Sequence, residues 1–185
     1  MRSQYEQKVF VTKSKIFSAF TQLMHRKNIH NISITELCSL AEINRSTFYK
    51  HFGSQYDVLN EMTDNFLNGL EERLKDISPD DREETEHRVT ACLEYMVQNS
   101  DAALMLMKNC TGNDFVQRLF TMPKIIDLLN ERLRHVENDE KMQGIISFVT
   151  YGAFRLILEW VTTPDRADPK EETALILSLA RKICD

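Results

Sequence analysis

Glycine and proline are scarce in this chain, five and four in 185 residues. A sheet protein of that length draws on both for its turns, so the shortage favours helix. No stretch of 18 apolar residues occurs, and the N-terminus has no apolar run ahead of a small-residue cleavage site. Neither a membrane span nor a secretory signal is expected. The most apolar segment, Ile145 to Val161, is interrupted by Thr150, Arg155 and Glu159 and is expected to be a buried helix. Cysteines 38, 92, 110 and 184 lie far apart without a C-x-x-C pair, so reduced core thiols are expected. The five histidines form no H-E-x-x-H and no Cys/His cluster at ligand spacing, so no metal is expected. His25 and His30, flanking a helix end, are expected to be solvated or capping residues. A G-x-S-x-G elbow, a glycine-rich phosphate loop and a paired-carboxylate motif are all missing, which leaves no catalytic residue to nominate, no cofactor, and an expectation that the chain is not an enzyme.

What is there is a globular composition, 42% hydrophobic and 28% charged, enough for one core or for two small ones sharing a long helix. The most informative segment runs from Ser33 to Phe52, S-I-T-E-L-C-S-L-A-E-I-N-R-S-T-F-Y-K-H-F. Ser33 and Glu36 have the spacing of a capping box. Ile34, Leu37 and Leu40, with Cys38 and Ala41 beside them, give the following two turns an apolar face. Asn44 is a good cap for a second helix, and Phe48 and Phe52, four apart, put two rings on one side of it. Arg45, Ser46, Thr47, Tyr49, Lys50 and His51 then point outward, all hydrogen-bonding and none a carboxylate. A phosphate-lined groove accepts such a surface.

The formal charge of −5 hides a division. Residues 1–55 hold eight Lys/Arg against three Asp/Glu, a balance of +5, and residues 56–185 hold fifteen against twenty-five, a balance of −10. A basic head on an acidic body suits a nucleic-acid-contacting module joined to a part that does not bind.

The motif T-F-Y-K-H-F, followed by the G-S-x-x-D-V-L that opens the next helix, resembles the DNA-binding domain of the tetracycline-repressor-like (TetR) family of bacterial transcriptional regulators. The resemblance covers roughly residues 10 to 62. Beyond them it continues as length and helix pattern, with a weaker likeness between Gly152 to Trp160 and one group of the family's C-terminal domains. Two positions depart from the family. Glycine is usual where Glu42 stands, and a left-handed backbone there costs on the order of 1 kcal/mol more than at glycine. Lysine is usual at Gln55, and its loss removes one phosphate contact and about one unit of salt slope.

The spacing predicts about nine helices in an all-α fold. A three-helix helix-turn-helix head, residues 1–54, precedes a helical effector-binding and dimerisation body, residues 55–185. The first helix is expected from about Lys13 to Lys27, capped by Thr12, with Ile16, Phe17, Phe20, Leu23 and Met24 covering the head. Ser54 and Asp57 are expected to cap a long helix reaching about residue 75, whose apolar stripe includes Val58, Met62, Phe66, Leu70 and Leu74. The run Ser78 to Glu86, which contains Pro79, reads as a surface loop and helix start. Body helices are expected at about 85–98, 101–109, 113–134, 141–162 and 169–183, separated at Ser100, Gly112, Asn138-Asp139 and Pro164 to Pro169. Pro123 should kink or break the third.

The resemblance implies double-stranded DNA as partner, an inverted-repeat operator, and a homodimer through the last two helices, where Gly152 and Ala153 allow close crossing. It implies a bacterial cytoplasmic protein, by default a repressor. DNA contacts are assigned to Arg45, Ser46, Thr47, Tyr49, Lys50, His51, Ser33 and Lys13. Met96, Met105, Phe115, Phe148 and Tyr151, with Met107 and Trp160, are candidates to line a pocket for a hydrophobic small-molecule effector. A helical protein-partner adaptor that reuses a helix-turn-helix scaffold is the alternative.

Overall fold

The computed structural model of the chain describes residues 4–75, 77–78, 80–109 and 114–184. Pro79, Cys110 and Gly112 lie outside them. The described residues form ten α-helices and one 3-10 turn, Ile29–Asn31, without a strand. The helices are α1 Gln4–Met24, α2 Ile34–Leu40, α3 Arg45–Phe48, α4 Gln55–Leu74, α5 Arg82–Gln98, α6 Ser100–Asn109, α7 Asp114–Phe120, α8 Pro123–Leu133, α9 Asp139–Thr162 and α10 Pro169–Cys184. The chain divides into two compact units, residues 1–66 and 67–185, and α4 runs through the division.

In the first unit, Ile16, Ala19, Phe20, Leu23 and Met24 of α1 are buried together with Leu37, Cys38, Ala41, Phe48 and Phe52. Each fully buried large side chain contributes about 1.5–3 kcal/mol relative to exposure. The buried stripe of α2 is Leu37, Cys38 and Ala41, and Leu40 lies at its rim, 42% exposed. The first helix starts well before Lys13. Thr12 does not cap it, because its Oγ1 donates to the Lys8 carbonyl at 2.9 Å from within the helix. A threonine hydroxyl satisfied by the preceding turn can sit mid-helix.

The second unit begins with the C-terminal turns of α4. Asp81 caps α5, accepting from the Glu84 amide at 2.9 Å, so that helix starts about three residues earlier than expected. Pro123 breaks the long segment into α7 and α8 and occupies the first turn of the latter, where its missing N–H costs nothing. That break brings the helix count to ten. Asn138 caps α9 through the Lys141 amide at 2.7 Å. α10 packs along α5 and α9, and α6 and α7 also pack on α9. A hydroxyl pair inside the first of these contacts, Thr90 Oγ1 to Thr173 Oγ1 at 3.0 Å, is buried.

α9 is not the buried helix expected. Val149, Thr150, Ile157, Trp160 and Val161 face inward, while Phe148 is 67% and Tyr151 45% exposed. By length and composition alone α9 could cross a membrane. Its exposed side, however, carries an Arg155–Glu159 ion pair at 2.6 Å, and the indole of Trp160 donates to the Ala167 carbonyl at 2.9 Å.

Candidate nucleic-acid interface and apolar cavity

The helix-turn-helix is assembled by local hydrogen bonds. Ser33 Oγ accepts from the Glu36 amide at 3.2 Å, which makes Ser33 the cap of α2. The reciprocal half of that box does not form. Glu36 instead receives the Lys27 ammonium on both oxygens, at 2.7 and 2.8 Å. The turn then passes through Glu42 at φ 54, the left-handed conformation. The chain therefore carries at Glu42 the backbone that glycine adopts at lower cost.

α3 is one regular turn, extended by further helical hydrogen bonds to Phe52. Asn44 holds the extended cap geometry, but its side chain makes no capping bond. Phe48 and Phe52 are buried with ring centroids 5.8 Å apart, and Phe52 lies 6.0 Å from Phe17 of α1. These rings lock the orientation of the turn. On its outer side Arg45, Ser46, Tyr49 and Lys50 are exposed, with Thr47 and His51 half-buried. Arg45 reaches its neighbour one turn on, donating to Tyr49 Oη at 3.4 Å. Behind the turn, burial pushes the Cys38 thiol up, partly opposed by the nearby Arg45 charge.

The next cap is a complete box. Asp57 Oδ2 accepts from the amides of Gly53 and Ser54, each at 2.9 Å, and the Asp57 amide donates to Ser54 Oγ at 3.4 Å. Beside it His30 Nδ1 lies 2.7 Å from Tyr56 Oη. His30 is exposed, as expected, and makes this side-chain hydrogen bond as well. Its partner Tyr56 did not stand out in the sequence.

Three lysines of the head are held internally. Lys13 bridges both oxygens of Glu61 at 2.7 and 2.8 Å and lies 5.3 Å over the Phe52 ring; Lys27 pairs with Glu36, and Lys15 sits 3.6 Å from Glu42. Arg45 and Lys50 have no carboxylate partner among the described residues. The outer side of α3 therefore carries two exposed positive charges that no carboxylate offsets.

In the second unit, α4, α5, α7, α8, α9 and α10 line a partly open apolar cavity of about 140 Å3. Leu70, Leu74, Leu93, Met96, Ile157 and Ile176 are among its walls, and Lys124 also lines it. Of the sequence candidates, Met96 lines it. Met105, Met107, Phe115 and Trp160 are buried elsewhere, while Phe148 and Tyr151 are on the exposed side of α9. Of the five predicted effector residues, Met96 lines this cavity and Phe148 the outer groove between α9 and α10, and Met105, Phe115 and Tyr151 line neither. The stripe of α4 and the crossing of α5 with α10 were the signals that could have located the cavity. Cys92, also in the wall, donates its thiol toward the Leu70 carbonyl at 3.8 Å, and burial pushes its pKa up to about 12. It is a neutral wall group. Cys38, Cys92 and Cys184 are all buried.

α4 and α5 approach closely next to this cavity. A Cβ built on Gly69 falls 2.5 Å from Tyr95 Cζ and 2.9 Å from Cε1, and the Arg73 guanidinium stacks 4.0 Å over the same ring while donating to the Gly69 carbonyl at 2.6 Å. Burial raises the Tyr95 pKa against the opposing Arg73 charge. A second apolar feature, an open groove between α9 and α10, is lined by Phe148, Gly152, Leu156, Leu179 and Ile183. A Cβ added at Gly152 meets no atom within 4 Å. Ala153 and Ile176 line both the groove and the cavity, so a single layer of side chains separates them.

Fold and outer face together define a helix-turn-helix DNA-binding protein of the regulatory class. Residues 16–62 match the bacterial regulatory proteins of the tetR family, and residues 83–182, more than half of the chain, match its transcriptional regulator C-terminal region. The chain belongs to the TetR family of bacterial transcriptional regulators. A curated relative, the HTH-type dhaKLM operon transcriptional activator DhaS of Lactococcus lactis subsp. lactis strain IL1403, is 30% identical over 117 residues, 63% of this chain. The match spans about half of that relative's length, 53%. A TetR transcriptional regulator from Streptococcus agalactiae 2603V shares the fold with TM-score 0.68 and 20% identity, over 95% of this chain and 97% of that one. FadR of Thermus thermophilus, a TetR-family transcriptional repressor solved with lauroyl-CoA, aligns with TM-score 0.58 and 20% identity, over 91% and 92%.

Proposed function

We propose that the protein is a homodimeric, sequence-specific regulator that holds an inverted-repeat operator with two heads and releases it when a small molecule enters the body. The observation that carries the reading is the outer side of α3, where Arg45, Ser46, Tyr49 and Lys50 are exposed beside a fully capped α4. In this proposal residues 1–54 are the DNA-binding domain and residues 55–185 the effector and dimerisation domain. Arg45, Ser46, Thr47 and Lys50 address base edges or adjacent phosphates; Tyr49 and His51 address phosphate oxygens. Ser33 keeps its hydroxyl proton for a phosphate, and Lys13 exchanges Glu61 for one. The function is non-catalytic and its setting is the bacterial cytoplasm.

One turn of helix spans only a few base pairs, so useful selectivity needs two half-sites about one helical turn or somewhat more apart. The groove between α9 and α10 supplies the second copy. Its exposed Phe148, Leu179 and Ile183 form a self-complementary apolar face in a two-fold pairing, and open space at Gly152 admits close crossing. Phe148→Glu should yield a monomer in sedimentation with greatly weakened operator binding.

Repression is the default mode, in which the dimer occupies an operator overlapping a promoter. Activation is the second reading, favoured by the lactococcal relative's description as an operon activator. The same DNA contacts serve both. The cavity is the proposed effector site, with Met96 in its wall.

Genome-wide selection of bound fragments, followed by mobility shift, tests the reading and returns the operator. Arg45→Ala should weaken operator binding on the order of tenfold and relax selectivity at one position per half-site. Uniform weakening across sequences would place Arg45 among the phosphate contacts. A folded dimer that shifts no duplex at low salt would instead support the adaptor.

A further inference from the structure

We infer that the cavity of the second unit takes a compact amphiphile, an apolar body of about six heavy atoms bearing one carboxylate that pairs with Lys124 at the rim. The inference rests on the cavity being the effector site. It adds the size and the charge of the molecule that fits.

Size follows from volume. The cavity measures about 140 Å3. A cavity of roughly 150 Å3 lined by leucine, isoleucine and phenylalanine accommodates benzene. A six-carbon ring or chain therefore fills this one, and the remainder of a much longer chain would lie outside its walls and gain little.

Chemistry follows from the lining. Leucine, isoleucine and methionine side chains from α4, α5, α7, α8, α9 and α10 make up most of the wall. The Cys92 thiol is turned to the Leu70 carbonyl and stays protonated, so it offers no charge. A polar ligand group buried against these walls would lose its water without gaining a partner. Lys124 is the one charged side chain among the lining residues, is half-buried, and has no carboxylate partner among the described residues. Its methylene stem joins an otherwise apolar wall, which leaves the ammonium at the edge, where it can meet water or an anion. A ligand with its apolar end inward and a carboxylate at that edge satisfies both requirements.

The test uses the full-length protein and calorimetric titration with hexanoate, benzoate, 1-hexanol, toluene and dodecanoate. Hexanoate and benzoate should bind at least tenfold more tightly than hexanol and toluene. Dodecanoate should bind no more tightly than hexanoate. Lys124→Gln should erase the preference for the acids while leaving toluene binding unchanged, and Leu93→Phe should abolish binding of both classes. If Leu93→Phe fails to fold, Ile157→Phe serves the same purpose. Equal affinity for acid and alcohol, or an acid preference that survives Lys124→Gln, overturns the charge assignment. Affinity that keeps rising to dodecanoate overturns the size assignment. In each of those cases toluene binding that is lost on filling the cavity would leave the site itself standing. No binding by any probe, together with no effect of any probe on the operator complex, overturns the reading of the cavity as effector site.

Discussion

Replacing Gly69 by alanine sets two known quantities against each other at the crossing of α4 and α5. In an exposed helix the change is favourable by roughly 0.5–1 kcal/mol, because alanine loses less backbone freedom on folding. Here the new methyl would stand 2.5 Å from Tyr95 Cζ and nearer still to Oη, well inside contact distance. The ring cannot yield freely, since Arg73 stacks on it at 4.0 Å and is itself tied to the Gly69 carbonyl. Overpacking of this kind costs about 1–3 kcal/mol, and a displaced cation–π stack adds about 0.5–1 kcal/mol. The net expectation is a loss of about 1–3 kcal/mol, or a melting temperature lower by roughly 2–12 °C for a chain of this size. Urea denaturation of Gly69→Ala, Tyr95→Ala and the double variant reads both terms. With the ring removed, the same Gly69→Ala change should stabilise by close to 1 kcal/mol. Stabilisation by Gly69→Ala with Tyr95 in place would refute the steric reasoning.

Glu42→Gly should raise stability by about 1 kcal/mol, since φ 54 is a glycine conformation and the Lys15 pair it gives up is solvent-exposed; no gain in the denaturation midpoint would show that the turn is already relaxed. Lys13→Gln removes the phosphate contact for which Lys13 gives up Glu61, so on a fixed operator the dimer's salt dependence should flatten by about two units, one for each head. An unchanged slope would place Lys13 away from phosphate. Burial raises the Glu172 pKa above its unfolded value. The native state then holds its proton to higher pH than the unfolded chain, so the group lowers stability as pH rises from the ordinary carboxylate range through the raised folded value, and that loss persists at neutrality. Glu172→Gln should therefore be the more stable protein at pH 7 and should lose its advantage in acid, which thermal melts across pH 3 to 8 would reveal.

The parts of the fold visible in the sequence are those fixed by neighbours within one helical turn. Ser33 as a cap, the Ser54–Asp57 box, the stacked Phe48 and Phe52, and the break at Pro123 each depend on residues three or four apart, and all four occur. Partner choice across greater separations was hidden. Glu36 has the spacing to return to its own cap, yet Lys27, nine positions back, takes both of its oxygens. Thr12 has cap chemistry, but a hydroxyl bonded to Lys8 suits a helix interior equally well. Lys13 looks like any exposed basic residue until Glu61, 48 positions later, is placed against it. The effector candidates are distributed over different settings for a related reason. Methionine and aromatic residues are equally suited to a core, a cavity wall or an exposed groove, and the chain uses Met105, Met96 and Phe148 in those three different settings.

Ala153 and Ile176 are shared by the inner cavity and the outer groove. If a guest presses on one side of that partition and a second copy on the other, the two equilibria are linked, and linkage runs equally in both directions. Apparent guest affinity would then drift with protein concentration across the range where pairs dissociate, and a titration at nanomolar chain would disagree with one at micromolar. Dose-response curves inside a cell would accordingly depend on how many copies that cell happens to hold.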